Sequence, residues 1–149
     1  MAYKIPKSIL VLVHTATQVL LLERVRPQGF WQSVTGSLEP GEDWRMAAER
    51  ELAEETGFAA MNLIDTGVRN RFPIVPPWSE RYAPEVKENE ERIFTLCLAQ
   101  AETPQLRASE HCAFAWLAPA EASARCGSWT NRNAIIRLFG TLDDGQLAS

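Results

Sequence analysis

Between Gly36 and Phe58 the chain carries seven carboxylates: Glu39, Glu42, Asp43, Glu49, Glu51, Glu54 and Glu55. The formal charge is only −4 over 149 residues, so this is a local concentration and not a general acidity. Glu51 and Glu55 are four residues apart and Glu54 is three beyond Glu51. On a helix the three share one neighbouring arc, where like charges repel unless something cationic sits over them. Clustered glutamate oxygens, joined by a backbone carbonyl and water, suit a hard ion such as magnesium or manganese, which bridges substrate phosphates while keeping several waters. Gly36 and Gly41 fold a tight loop just ahead of these residues and can bring carbonyls to the same arc. A solvated charged face is the alternative that the pattern alone leaves open. Arg50, four before Glu54, is placed to pair with it.

These groups need a scaffold, and periodicity supplies one. No proline or glycine interrupts Asp43 to Thr56, where Ala, Arg, Glu and Leu dominate, which predicts a helix closed by Gly57. Trp44, Ala48 and Leu52 give it a buried stripe. Glu42 is expected to cap its start, where negative charge is favourable, and Glu39 to face solvent. Upstream, SILVLVH and VLLLERV around TATQ predict a hairpin, followed by a short extended piece at Phe30 to Val34. MNLIDTGVRNRF predicts a strand. Pro73 to Arg92 holds four prolines and little periodicity. A long loop is expected there, and such a loop in a small domain usually carries function. IFTLCLA and CAFAWL predict two more strands, with the connection between them delivering Glu110 and His111 to the lip of the last. PAEASARC and SWTNRNAIIRLF predict two helices, Pro119 near the start of the first and Ser128 or Thr130 capping the second. Residues after Gly140 are expected to form a loose tail.

Composition bounds the function. Apolar residues make up 46% and charged residues 23%, which fits one folded domain over 1–149 and excludes a long disordered segment. The first apolar run is too short to span a bilayer, so a cytoplasmic protein is expected. Cys97, Cys112 and Cys126 form no close CxxC pair and are expected as buried free thiols, without disulfides or zinc. Only two histidines are present, which argues against a His-rich metal site. A pI near 5.2 argues against a duplex nucleic-acid binder but leaves a small phosphorylated substrate open.

Gly36, five residues, Glu42, seven residues and then RELAEETGF from Arg50 to Phe58 fill all nine defined positions of a Nudix box. On these residues the chain resembles the Nudix hydrolase family. The resemblance implies an α/β fold, an α/β/α sandwich about a mixed sheet, and metal-dependent attack of water on a phosphoanhydride. It implies Glu51 and Glu55 as prime metal ligands and Glu54 as a further ligand or orienter. It also implies the Gly36 carbonyl as a direct or water-bridged contact, Arg50 as the orienter of a glutamate, and Mg2+ (or Mn2+) as cofactor. Family members commonly borrow an acidic residue from outside the box, and Glu110 is the candidate for that catalytic and metal-binding role.

Outside the box, FWQSVTGSLEPGE, RYAP, EHCAFAWL and SWTNRNAI resemble a narrower bacterial group of the family that hydrolyses dihydroneopterin triphosphate or dATP. Thr35-Gly36-Ser37 stands where many other members have Pro-Gly-Gly, and the narrower group shares this departure. The likeness implies release of pyrophosphate from a triphosphate on a flat bicyclic ring, within folate biosynthesis if the ring is a pterin. Action on dATP or damaged nucleotides, or on dinucleoside polyphosphates, is the alternative. A silent nucleotide-sensing module is disfavoured by the intact Glu51, Glu54 and Glu55. A flat ring wants aromatic surface, for which Trp31, Trp78, Tyr82 and Trp129 are candidates. Core packing is the alternative for Trp31, and anchoring the last helix for Trp129. Arg24, Arg26, Arg81 and Lys87 are candidates for the triphosphate, and Asn131 and Arg132 either line the pocket or cap the helix. The expected partner is a small-molecule triphosphate, with no nucleic acid and no membrane, and the expected state is a monomer or a weak dimer.

Overall fold

Alternation in the first strand sets the architecture. Strand β1 (Lys7–His14) sends Ile9, Val11 and Val13 to one side and Leu10 and Leu12 to the other, all buried. A strand covered on both faces needs such a continuous apolar run. It lies within a seven-stranded mixed sheet in the computed structural model, which describes residues 3–140. The tail expected after Gly140 therefore lies outside the described residues.

A turn leads from β1 into antiparallel β2 (Val19–Arg24), and the two meet at the His14–Val19 pair before splaying. One stretch of chain fills the wedge: β3 (Trp31–Gln32) bonds to β2 and β4 (Val34–Ser37) bonds to β1. The extended piece expected at Phe30 to Val34 is thus two strands, with Ser33 where the chain changes neighbour. On its other edge β1 runs parallel to β6 (Glu88–Cys97), which pairs antiparallel with β5 (Leu63–Pro73). Strand β7 (His111–Leu117) pairs antiparallel with β2.

Helix α1 (Trp44–Thr56) covers the Ile9 face with Ala47, Ala48 and Leu52. Helices α2 (Pro119–Arg125) and α3 (Trp129–Phe139) cover the other with Ala122, Ala134 and Ile135. The result is the α/β/α sandwich expected. Gly57 ends α1 at φ 77, a conformation glycine adopts freely. Ser128, and not Thr130, caps α3 by accepting from Asn131 N at 3.1 Å.

Three expectations need correction. Asp43 caps α1 by accepting from Met46 N at 2.8 Å, because Glu42 is committed elsewhere. The long loop spans only 74–87, with a 3-10 turn at Trp78–Arg81, since residues up to Pro73 and from Glu88 are strand. The inward side chains at the start of β6 are Asn89 and Glu91, so the apolar alternation that signals a strand is missing there. Finally, only Cys126 is buried; Cys97 closes β6 and Cys112 turns outward beside the buried His111, and all three are free thiols. No helix among the described residues is long and apolar enough to cross a membrane.

Candidate active site

Glu51 and Glu55 leave α1 on its buried side, above β4. A Cβ on Gly36 would collide with the Glu51 carboxylate, so the constraint at Gly36 is space and not backbone angle. Glu55 is only 1% exposed, and its Oε1 is buried without a hydrogen-bond partner. Ligand atoms of Glu55, Glu110 and His111 lie within 4.8 Å of one another. Burial first, and then the Glu51 charge, holds the Glu55 carboxyl well above the usual carboxylate range; burial raises Glu51 as well. Dry, like-charged oxygens with an unfilled acceptor among them are what a divalent cation relieves. The donor set therefore fits a divalent-metal site.

His111 is fully buried, and burial followed by the Arg24 charge pushes its pKa down to about 4, so the ring is neutral. Its Nε2 lies 3.2 Å from the Gln32 side-chain nitrogen and 3.9 Å from Glu55 Oε1. Glu110 is brought beside it by a turn in which Glu110 N donates to Arg107 O at 2.9 Å, while Glu110 O accepts from Val25 N at 2.8 Å. The lip of β7 is thereby tied to the end of β2.

Arg50 staples the loop to the helix. Its Nε and Nη2 donate to the two oxygens of Glu42 at 2.7 and 2.9 Å, a bidentate pair, and Nη2 also donates to Ser37 O at 3.0 Å. Those bonds hold the guanidinium above its ordinary pKa and Glu42 below its own. Nη1 stands 3.3 Å from Glu51 Oε2 and 3.4 Å from Glu54 Oε1. Glu54 is also bonded by Arg107 Nη1 at 3.1 Å, which sets it to the flank, away from the buried Glu51 and Glu55.

A cavity of about 420 Å³ adjoins this cluster through Thr35, Gly36 and Ser37, a size suited to a small molecule. Aromatic pairs line it: Phe30 against Trp78 with centroids 5.5 Å apart, and Phe72 against Trp129 at 6.5 Å, both edge to face. The Arg24 guanidinium lies 5.0 Å from the Trp78 ring centre. Lys4 and Arg81 join Arg24 in the lining, and Lys4 N donates to Arg81 O at 2.9 Å. Asn89, Glu91, Thr130 and Asn131 add polar side chains.

Of the residues singled out from sequence, the structure brings Arg24, Trp78, Arg81, Tyr82, Trp129 and Asn131 to this cavity. Asn131 is wholly buried, with Oδ1 accepting from Ser33 N at 2.8 Å and Nδ2 donating to Ser33 Oγ at 2.9 Å, so it fastens α3 to the strand switch. Trp31, Arg26, Lys87 and Arg132 lie outside the lining. Trp31 packs on the α2/α3 core beneath Arg125, because alternation in β3 gives Gln32 the opposite face. Arg26 and Lys87 contribute backbone carbonyls, to Arg24 Nε and Ile74 N, and Arg132 is rotated about a third of a turn round α3 from Asn131. Lys4, Phe30, Phe72, Asn89 and Glu91 had no site role expected from sequence, and His111, expected at the lip of the last strand and found there, had none either. The period of two in ENEER, with Asn89 and Glu91 on one face, was the available signal.

The family model for the NUDIX domain matches residues 4–138. Dihydroneopterin triphosphate diphosphatase of Escherichia coli K12 is 42% identical over 139 residues, covering 89% of this chain and 91% of the relative. The enzyme of the same name from Haemophilus influenzae is 36% identical, covering 95% and 92%. The solved E. coli dihydroneopterin triphosphate pyrophosphohydrolase superposes with a TM-score of 0.86 at 39% identity, over 92% of this chain and 97% of that one. Box, fold and relatives agree across nearly the whole length, and the chain belongs to the Nudix hydrolase family.

Proposed function

We propose that the chain hydrolyses dihydroneopterin triphosphate to dihydroneopterin monophosphate and pyrophosphate, a step of folate biosynthesis. The observation that carries this reading is adjacency: Gly36 lines the aromatic cavity and packs against the Glu51 carboxylate of the buried cluster. The names of the E. coli and H. influenzae relatives support the choice of ring. Glu51, Glu55 and Glu110 would hold a divalent cation, Mg2+ or in its place Mn2+, with the Gly36 carbonyl as a further contact. When bound, the ion neutralises phosphate charge and makes water a stronger nucleophile. Lys4, Arg24 and Arg81 take the remaining charge of the triphosphate, while Trp78, Tyr82 and Trp129 offer apolar surface to the ring. Arg50 acts as a positioning residue, holding Glu51 through a guanidinium already anchored on Glu42, and Glu54 supports it from the flank. The protein works as a single-domain monomer in the cytoplasm, a compartment favoured by the exposed free thiols of Cys97 and Cys112.

Turnover with Mg2+ of dihydroneopterin triphosphate, dATP, 8-oxo-dGTP and diadenosine polyphosphates, measured side by side, tests the reading. The pterin should lead dATP by at least about tenfold in kcat/KM, or about 1.4 kcal/mol. Equal values would replace it with a broader nucleotide hydrolase.

A further inference from the structure

Two acceptors in the cavity lining have nothing to accept from. Glu91 is 5% exposed and Asn89 3%, and both point to the same face of β6. Asn89 Nδ2 donates to Ser8 Oγ at 2.7 Å, which leaves its Oδ1 buried and unpartnered; Glu91 Oε1 is in the same state. Buried polar atoms are normally satisfied, and a carboxylate left short is costly. Burial pushes Glu91 up to about 7, with the Thr130 and Asn70 side chains pulling it partly back. Neither residue belongs to the acidic cluster under α1: Glu91 has Ser8 of β1 and Asn70 of β5 as its strand neighbours.

We propose that Glu91, with Asn89 beside it, reads the edge of the substrate ring by accepting from two adjacent N–H donors, the exocyclic amine and ring N–H of a 2-aminopyrimidin-4-one. This deepens the reading of a ring-bearing triphosphate and rests on it. Phe30, Trp78, Phe72 and Trp129 offer the cavity's aromatic surface to the faces of a planar ring, which leaves its edge for β6. A carboxylate presents two oxygens side by side and matches a pair of donors in one plane. Donors arriving with the ligand favour the ionised carboxylate and supply the missing bonds. An adenine edge places a bare ring nitrogen beside its amine, and an ionised carboxylate opposite that nitrogen has no proton to share. Sites built to satisfy polar groups reject an analogue that leaves them unpaired.

Glu91→Gln keeps the shape but offers one acceptor and one donor. The experiment measures kcat/KM for dihydroneopterin triphosphate and dGTP, which share the donor pair, and for dATP, which lacks it. In the variant, both ratios to dATP should fall by about tenfold or more, carried by KM, while inhibition by inorganic tripolyphosphate stays that of the parent. A parent without preference for donor-pair rings over dATP overturns the inference, as does a variant whose ratios match the parent's. Glu91→Asp, which keeps the charge but withdraws it by one methylene, must lose the same preference; if Gln at this position does not fold, the aspartate variant decides alone. The order of dihydroneopterin triphosphate and dGTP in the parent judges the pterin reading separately: dGTP in front would remove that substrate and leave the Glu91 assignment to the ratios.

Discussion

Glu55 is worse placed without a cation than a glutamine would be. Its carboxylate is buried beside Glu51 and Glu110 with an unfilled oxygen, so the free protein bears a repulsion that neutralising the side chain removes. Glu55→Gln should therefore lower turnover by about 100-fold or more, close to 3 kcal/mol, while the melting temperature of the EDTA-treated protein stays level or rises. Added Mg2+ should raise the melting temperature of the parent by mass action and leave the variant where it was; a variant melting far below the parent in EDTA would show that Glu55 serves the fold. Glu91 gives a second expectation of opposite pH character to a paired carboxylate. Its folded pKa of about 7 lies above the ordinary 4.5. Stability from this group is complete below the ordinary value and is lost as pH rises through the folded one, because the unfolded chain releases the proton first. Glu91→Gln should then be the more stable protein at pH 8, by at most about 3 kcal/mol, with the gap closing toward pH 4. Melting curves at both ends of that range check it.

Between β4 and α1, what matters is how closely a strand can approach a helix. Gly36→Ala would press a methyl group into the Glu51 carboxylate, so it should weaken Mg2+ binding and cut turnover at least about tenfold while far-UV circular dichroism stays that of the parent. Unchanged Mg2+ affinity would show that the loop yields instead. The helix itself was legible in the sequence: an unbroken run of helix formers closed by Gly57, with Glu51 and Glu55 four apart on one buried face; Glu54, expected on the same arc, is held to the flank by Arg107. The strand that completes the cavity was not. The first half of β6 turns Asn89 and Glu91 inward toward a cavity instead of a hydrophobic core, so hydropathy read it as loop even as the side chains kept strict alternation. Glu42 misled for a related reason. A carboxylate at a helix start looks like a cap, and only folding shows Arg50 eight residues on claiming both its oxygens while Asp43 takes the cap. His111 was placed at the lip of β7 but given no role, since one imidazole joining carboxylates leaves no motif of its own.

At the level of the molecule, β1 divides labour between the layers. Its odd residues support the helix that carries the acidic cluster, and its even residues Ser8 and Leu10 line the aromatic cavity, so the cluster and the cavity lie on opposite faces of one sheet and meet at Gly36. The same strand has a consequence for how the protein comes into being. β1 pairs in parallel with β6, Ser8 opposite Glu91, across more than half of the sequence. Contacts so distant are slow to form, because a long loop must close before the pairing gives anything back. During synthesis the apolar β1 must wait, one edge bare, until β6 has left the ribosome, and exposed strand edges are where nascent chains stick to one another. Chains stalled before Glu88 emerges should be cut readily by protease and retained by holdase chaperones, whereas chains extended beyond Phe139 should resist. Protection of the shorter chain would mean that the hairpin and α1 fold without their central partner.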